Sequence, residues 1–175
     1  VHELLDKTLI DSVTIPSLNT IPPSNPSYVM FTSGSTGLPK GAVISHSNLL
    51  SFIHWCQDYF TITPEDVFTN VNPMYFDNSV FDFYSSIFSG ATLVPFTQDQ
   101  VSSPKLLLNL ISLAKCTIWF SVPSLLVYLL TTRSISPESF PDLRKIIFGG
   151  EGFPKPKLKE LFDLFSHRID LVNVY

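Results

Sequence analysis

The 175-residue chain carries little charge for its size. Charged residues make up 15% of it, against about 25% in a typical globular domain, while 45% of the residues are hydrophobic and fifteen are Phe. A surface this poor in charge predicts that further polypeptide covers part of it. We therefore expect a piece of a larger protein, with an unusually apolar single domain as the alternative.

Arginine is especially scarce: the chain has only Arg133, Arg144 and Arg168, and its formal net charge is −4. No basic stripe is available to follow a polyphosphate backbone, so we expect no nucleic-acid polymer as a partner. A small nucleotide is compatible with this composition, because a few backbone amides and one lysine are enough to bind it.

Cysteine is also rare, and Cys56 and Cys116 stand in neither a C-x-x-C nor a metal-binding spacing. Isolated thiols in apolar sequence are typical of reduced core residues, which favours a reducing, cytoplasmic location. The longest apolar segment, residues 116–132, is interrupted by two serines and a proline and is marginal for a bilayer. No signal-peptide pattern opens the chain, so we expect no membrane association.

The rest of the sequence alternates between strand-like and helix-like patterns. Residues 1–27 include four prolines among Ser, Thr and Asn and are predicted to form an extended connector. Strands are predicted at 28–31, 42–45, 67–71, 91–96, 117–121, 145–148 and 169–175, and helices at 48–60, 78–89, 104–114, after Pro123 and at 155–165. This alternation predicts an α/β fold with a mainly parallel sheet flanked by helices.

One predicted helix lies in "DNSVFDFYSSIFSG", residues 77–90. Its apolar positions 80, 81, 84, 87 and 88 share one helical face, and Gly90 stands where a helix C-cap glycine is expected. Asp77 stands at the expected N-cap position of this helix, where Asp is a preferred residue.

Six of the seven glycines fall in two clusters, each after a predicted strand: Gly34, Gly37 and Gly41, then Gly149, Gly150 and Gly152. Ligands of such folds bind where strands end and loops enter helices. Glycine allows positive φ or close approach of a ligand, so the clusters predict two backbone surfaces around one ligand, with simple tight turns as the alternative.

The first cluster lies in "FTSGSTGLPKG", residues 31–41, which matches neither the P-loop nor the dinucleotide fingerprint. Its bare amides, its hydroxyl groups and Lys40 are nevertheless the components of an anion clamp. Pro39 and the flanking strands predict a hairpin loop that could close over a polyphosphate.

The segment "YVMFTSGSTGLPKGAVISHSNLL", residues 28–50, resembles the phosphate-loop motif of the adenylate-forming (AMP-binding) superfamily. Three further segments match that superfamily in the expected order: "FDNSVFDFYSSIFSGATLV", "FGGEGFP" and "NVY". Within it, "FDNSVFDFY" is most similar to the amino-acid branch, which comprises nonribosomal peptide synthetase adenylation domains and D-alanine carrier-protein ligases. The resemblance implies that residues 28–175 form part of the N-terminal domain of such an enzyme.

The resemblance implies an ATP-dependent ligase that adenylates an amino acid and transfers it to a carrier-protein thiol. An acyl-CoA or aryl-CoA ligase of the same superfamily, or a non-catalytic nucleotide-binding module, is the alternative. Because the chemistry is mostly positioning and charge neutralisation, no general base is expected.

Residue roles follow from matching this sequence to the family motifs. Lys40 is expected to be catalytic, neutralising charge on the departing pyrophosphate. ATP binding is expected at Thr32, Ser33, Gly34, Ser35, Thr36, Gly37, Gly149, Gly150, Glu151, Asn173 and Tyr175. Substrate binding is expected at Asp77, Asn78, Phe81, Phe120, Ile147 and Val174.

Two of these assignments carry the substrate prediction. The resemblance implies that Asp77 holds the α-ammonium group of the amino acid. If Phe81 and Phe120 point inward, the pocket suits a small amino acid such as alanine.

The family motif that begins "NVY" continues in other members to a Glu that helps to hold Mg²⁺, so Mg²⁺ is expected as a cofactor with its ligand beyond Tyr175 and none in this chain. The ribose-binding aspartate and the C-terminal catalytic lysine of the family are likewise expected in the remainder of the polypeptide. The isolated 175 residues are therefore expected to be inactive.

Overall fold

The computed structural model describes residues 21–32 and 39–174. The chain divides into two compact units, Val1–Leu49 and Leu50–Tyr175. Most of the predicted connector lies outside the described residues.

The first unit contains the predicted hairpin. Strands β1 (Pro26–Thr32) and β2 (Lys40–Ser45) pair antiparallel, with Thr32 opposite Lys40. A Cβ atom at Gly41 would lie 3.0 Å from Cγ1 of Val29, so glycine lets the two strands approach.

Helix α1 (His46–Phe60) follows β2 directly and continues into the second unit. Ser45 and Asn48 cap its start reciprocally: the Asn48 amide donates to Ser45 Oγ and the Ser45 amide donates to Asn48 Oδ1, each at 3.2 Å. Ser45 is therefore the N-cap residue of this helix.

The second unit is built on a five-stranded, fully parallel sheet in the order β4-β3-β5-β6-β7. Its strands are β3 (Val67–Asn70), β4 (Thr92–Pro95), β5 (Ile118–Ser121), β6 (Lys145–Phe148) and β7 (Asp170–Asn173). The helices between them are α2 (Asn78–Phe88), α3 (Gln98–Ser102), α4 (Pro104–Leu113), α5 (Pro123–Thr131) and α6 (Lys155–Phe165). The predicted α/β fold with a mainly parallel sheet is confirmed.

Side chains from alternate positions of the strands fill two core clusters, as the period of a strand requires. On β5, Ile118 and Phe120 belong to a cluster with α1 and α2, while Trp119 belongs to a cluster with α4, α5 and α6. In the part of the chain that the structure describes, no helix is both long enough and apolar enough to cross a membrane.

Both cysteines are free and buried, as predicted. Burial raises the pKa of the Cys56 thiol to about 12; burial and the charge of Asp142 raise that of Cys116 to about 11. Both thiols are therefore protonated and unreactive near neutral pH.

Helix α2 is present as predicted, but its buried face matches the predicted apolar face only at Val80 and Phe81. Asp82, Ser85 and Ser86 are fully buried, whereas Ile87 and Phe88 are more than half exposed. Serine side chains are short, which lets the helix lie close to the sheet. The buried Ser86 hydroxyl finds its hydrogen-bond partner within the helix, donating to the Asp82 carbonyl at 2.6 Å.

The end of α2 matches the prediction. Gly90 has φ +67°, its amide donates to the Ile87 carbonyl, and the Ala91 amide donates to the Ser86 carbonyl. These are the two hydrogen bonds of a Schellman motif.

The amino edge of the sheet is held by a network of charged residues that directly precede the strands. Arg144 donates from Nε and Nη2 to the two carboxylate oxygens of Asp66 at 2.8 and 2.7 Å. Thr117 Oγ1 donates to the same carboxylate at 2.7 Å, and the Thr63 amide donates at 2.9 Å. Burial raises the pKa of Asp66, but these hydrogen bonds and the Arg144 charge outweigh it and hold that pKa below its usual range.

Candidate functional site

A cleft of about 400 Å³ opens at the carboxyl edge of the sheet, where ligands of this architecture are expected. Segments that follow β3, β5 and β6 form its walls together with α3 and the start of α2. The lining residues are Val71, Asn72, Pro73, Phe76, Asp77, Asn78, Gln98, Val101, Ser121, Val122, Leu125, Gly150 and Glu151.

The charge of the cleft is negative. Among the described residues that line it, two are carboxylates, Asp77 and Glu151, and none is Lys, Arg or His. Such a lining suits a ligand that brings a positive charge.

Asp77 occupies the N-cap position of α2, yet its side chain makes no capping hydrogen bond. Within residues 21–32 and 39–174 no hydrogen bond or ion pair of its carboxylate is found. The carboxylate is exposed to the cleft, so it is available to a ligand rather than used by the helix.

The opposite wall comes from the second glycine cluster. Gly150 has φ +87°, and a Cβ atom there would lie 3.9 Å from Asn78 Nδ2 and 3.9 Å from Val122 Cγ1. The fold therefore brings Asn78 and Gly150 together, although 71 positions separate them in the sequence. A positive φ at this point explains why glycine is needed.

Glu151 is already engaged. Its Oε2 accepts from the Ser124 amide at 3.2 Å, at the start of α5. Because Pro123 is the first residue of that helix and Val122 offers no capping side chain, Glu151 supplies the negative charge that the helix N-terminus favours. Of the two carboxylates, Asp77 is the one without a described partner.

Three predicted substrate residues lie in the core instead of on the cleft wall. Phe81, Phe120 and Ile147 are buried in the cluster between the sheet and helices α1 and α2. The rings of Phe81 and Phe120 meet edge to face with centroids 5.4 Å apart. Their role in substrate binding stays a prediction.

The remaining predicted residues of this unit lie at the ends of β6 and β7. Gly149 is buried directly after β6, and Asn173 ends β7 opposite Phe148. Val174 is exposed, and its amide donates to the Phe148 carbonyl at 3.0 Å. Tyr175 lies outside the described residues.

In the first unit, Lys40 begins β2 and is exposed, and Thr32 ends β1. The predicted phosphate-binding residues between them, Ser33, Gly34, Ser35, Thr36 and Gly37, lie outside the described residues. The hairpin that carries this loop has the predicted strands on both sides.

Sequence reasoning missed the buried polar residues next to the cleft, Asn70, Asn72 and Asp82. Asp82 Oδ2 accepts from Asn70 Nδ2 at 3.3 Å and from Asn72 Nδ2 at 3.0 Å. Two asparagines at the end of the buried strand "VFTNVN" were a readable signal, because amide side chains are rarely buried without a partner.

Helix α3 was also missed. Thr97 and Gln100 form a capping box, with the Gln100 amide donating to Thr97 Oγ1 and the Thr97 amide donating to Gln100 Oε1. The T-x-x-Q spacing predicts this cap, and the helix it starts places Gln98 and Val101 on the cleft.

The described residues contain no group of three or more His, Cys, Asp or Glu side chains arranged to hold a metal ion.

The parallel sheet with a cleft at its carboxyl edge is typical of ligand-binding α/β proteins. The AMP-binding enzyme family model matches residues 3–175, and the chain belongs to that family. The resemblance seen in the sequence is thereby confirmed.

Among curated proteins, the chain is 37% identical over 164 residues to an L-proline--[L-prolyl-carrier protein] ligase of Pseudomonas fluorescens, covering 94% of this chain and 32% of that protein. It is 39% identical over 148 residues to a D-alanine--D-alanyl carrier protein ligase of Bacillus licheniformis, covering 85% and 29%. The chain thus spans about a third of the length of these relatives.

Among solved structures, the Vibrio cholerae adenylation domain AlmE in complex with glycyl-adenosine-5'-phosphate superposes with a TM-score of 0.77 at 29% identity. The match covers 87% of this chain and 28% of that one.

Proposed function

We propose that the chain is part of an ATP-dependent ligase that adenylates the carboxylate of an amino acid and passes the acyl group to a carrier-protein thiol. The relatives reported above are amino-acid carrier-protein ligases and an adenylation domain with a glycyl adenylate, which supports this class of reaction.

One observation carries the proposal. The Asp77 carboxylate faces a cleft without a lysine, arginine or histidine on its described lining, and it has no partner within the described residues. An α-ammonium group would supply the missing positive charge. A ligase for plain fatty or aromatic acids would have no use for this charge, so the amino-acid class is favoured.

The nucleotide side of the proposal rests on the family and on the two glycine clusters. We assign the ATP phosphates to Thr32 and residues 33–37, with Lys40 neutralising the leaving pyrophosphate. The adenosine is assigned to Gly149, Gly150, Glu151, Asn173 and Tyr175.

The proposed reaction has two steps. An oxygen of the substrate carboxylate attacks the α-phosphorus of ATP, the bond to the bridging oxygen breaks, and pyrophosphate leaves. The carrier thiol then attacks the acyl carbon and AMP leaves. The substrate carboxylate is ionised at neutral pH, so the chain needs no general base for the first step.

We further propose a small amino acid as substrate. By their names, the relatives reported above act on proline and D-alanine, and the adenylation domain is bound to a glycyl adenylate, which supports a substrate of this size. A cytoplasmic location, Mg²⁺ as a cofactor, and a role for Asn78, Ile147 and Val174 in substrate binding complete the proposal. We expect activity to require polypeptide beyond these 175 residues.

Amino-acid-dependent exchange of pyrophosphate into ATP tests the proposal on the complete polypeptide that contains this chain. We expect exchange with a small amino acid from a panel that includes glycine, L-proline, a large aromatic amino acid and both alanine enantiomers. Asp77→Ala should lower kcat/KM for the amino acid by about 10²- to 10³-fold, because the bound ammonium loses its counter-ion.

The matched control is Asp99→Ala, which removes an exposed carboxylate from α3 without changing a lining residue of the cleft. It should leave exchange unchanged. Exchange that proceeds with simple carboxylic acids in the absence of an amine would indicate an acyl-CoA or aryl ligase instead. ATP binding without exchange of any kind would indicate a non-catalytic module.

A further inference from the structure

A buried polar cluster stands directly behind the cleft wall, on residues to which the function above gives no role. Its centre is Asp82 on α2, whose side chain is completely buried. Asn72, on the segment after β3, is also buried. An inference about this cluster rests on the proposed function, because the cleft that it borders is the proposed amino-acid site.

The cluster ties three segments of the chain together. Asp82 Oδ2 accepts from both Asn70 and Asn72, and Asn72 Nδ2 donates in addition to the Phe120 carbonyl at 2.9 Å. Asn70 Nδ2 also lies 3.4 Å from the Asn72 carbonyl, to which it donates. One carboxyl oxygen therefore fixes the relation between α2, the end of β3 and the end of β5.

Each of these segments contributes to the site. Asn72 lines the cleft, Phe120 is a predicted substrate residue, and α2 begins at the Asp77 and Asn78 pair. Asp82 follows Asn78 by four residues, so the two side chains lie on the same side of the helix. A shift of the carboxyl group would move the wall on which the substrate is expected to rest.

The cluster is costly for the fold. Burial raises the pKa of Asp82 well above its usual range, with the Asn72 and Asn70 hydrogen bonds acting in the opposite direction. Its second oxygen, Oδ1, has no hydrogen-bond partner within the described residues. An apolar side chain at position 82 would avoid both penalties. The benefit of an acid at this position therefore lies in the cleft geometry that its hydrogen bonds fix, and not in core packing.

We propose that Asp82 is a positioning residue of the ligase: it holds Asn72, and through it the Phe120 backbone, in the geometry that binds the amino-acid substrate. It touches neither substrate nor nucleotide itself. The role predicts an effect on amino-acid binding that a general loss of stability would not produce.

Steady-state exchange kinetics of the complete polypeptide test the proposal with Asp82→Leu and Asp82→Asn. D82L removes the acceptor, and we expect kcat/KM for the amino acid to fall by about 10- to 100-fold through a higher KM, with KM for ATP changed by less than about twofold. D82N keeps an oxygen that accepts from both asparagines and should restore most of the amino-acid KM.

Ile111→Val is the matched control for lost stability. Ile111 is fully buried on α4 and lies away from the cleft lining, so the variant loosens the core without touching the cluster. Both kinetic constants should be unchanged in this variant. An equal rise of KM in D82L and D82N, or a D82L enzyme with wild-type constants, would overturn the proposal.

Asn72→Leu approaches the same contact from the other side and keeps the proposal testable if D82L does not fold. It should raise the amino-acid KM in the same way, and the double variant should be no worse than N72L alone, because Asp82 acts through Asn72. Additive effects of the two substitutions would contradict that coupling.

A crystal structure of the D82L or N72L variant gives a readout that does not depend on catalysis. A displaced Phe120 carbonyl and a shifted cleft wall support the positioning role, and an unchanged wall refutes it. If the wild-type protein catalyses no amino-acid-dependent exchange, the proposed function fails, and this structural comparison alone then decides the inference.

Discussion

At the amino edge of the parallel sheet, Asp66 is a nearly buried carboxylate surrounded by donors; at the carboxyl edge, Asp82 is a fully buried carboxyl with one oxygen unpartnered among the described residues. The first is paired with the guanidinium of Arg144, and the second has only two amides. A charged network that satisfies every oxygen serves stability, whereas a partly satisfied one costs stability. The carboxyl groups at the amino edge thus stabilise the sheet, whereas those at the carboxyl edge shape the proposed ligand site.

The largest effect is expected from breaking the amino edge. Arg144→Met leaves the Asp66 carboxylate buried without its cation and should lower the free energy of unfolding by about 3 kcal/mol, at the low end for such pairs because Thr117 and the Thr63 amide still donate. Urea denaturation of the complete protein measures the loss. Exchange kinetics of the protein that remains folded should be unchanged, since no cleft residue is involved.

Lys145→Met is the control for the Arg144 substitution. Lys145 is the next residue along the chain and also forms an ion pair, with Asp170, but the Asp170 side chain is 70% exposed. Exposed pairs contribute at most about 1 kcal/mol. If the two methionine variants are equally destabilised, the amino edge is not held by the Asp66 network.

The two carboxyls should also give opposite pH dependences. Asp66 has a lowered pKa in the folded protein, so the unfolded chain binds more protons in acid, and its contribution to stability is lost as pH falls below about 4. Asp82 has a raised pKa, so the folded protein binds more protons, and stability falls as pH rises above about 4 toward the folded pKa.

Urea midpoints measured across the pH range for Asp66→Asn and Asp82→Asn separate the two slopes. Each titrating group contributes up to about 1.4 kcal/mol per pH unit. In D66N, the free energy of unfolding should depend less on pH below about 4. In D82N, it should depend less on pH above about 4. A D82N profile parallel to that of the wild type would mean that Asp82 is ionised in the folded protein.

The comparison also explains which features could be predicted from the sequence. The alternation of patterns predicts the parallel sheet because hydrophobic period and turn residues act locally, and the second glycine cluster marks the carboxyl end of β6 for the same reason. The amino-edge network joins Asp66, Thr117 and Arg144. These residues are far apart in the sequence and come into contact only when three strands align, so no local sequence pattern predicts the network.

The buried face of α2 shows the same limit. Apolar spacing placed Val80 and Phe81 on the buried face, and both are buried. It also placed Ile87 and Phe88 there, but close packing on the sheet buries Ser85, Ser86 and Asp82 instead. Asp82 can be buried because Asn70 and Asn72, at the end of β3, donate hydrogen bonds to its carboxyl group. The spacing of apolar residues along one helix cannot reveal partners that lie on another segment. Tertiary contacts override local preference here, as is usual near functional sites.

The smallest effect concerns the turns that return the chain to the amino edge. Thr61, Lys115 and Arg133 have φ between 51° and 53°, and each ends a helix where glycine is preferred. At the end of α4, the Lys115 amide donates to the Ser112 carbonyl and the Cys116 amide to the Ile111 carbonyl, which is the same Schellman pattern that Gly90 completes after α2.

Lys115→Gly should therefore raise the free energy of unfolding by about 0.5 kcal/mol, because relief of the left-handed strain exceeds the extra entropy that glycine gives the unfolded chain. Lys115→Ala keeps the strain and should give no gain, which makes it the matched control in the same urea titrations. Exchange kinetics should not respond to either change, since the turn lies at the edge opposite the cleft. A glycine variant no more stable than the alanine variant would show that the amino edge already accommodates the left-handed lysine without strain.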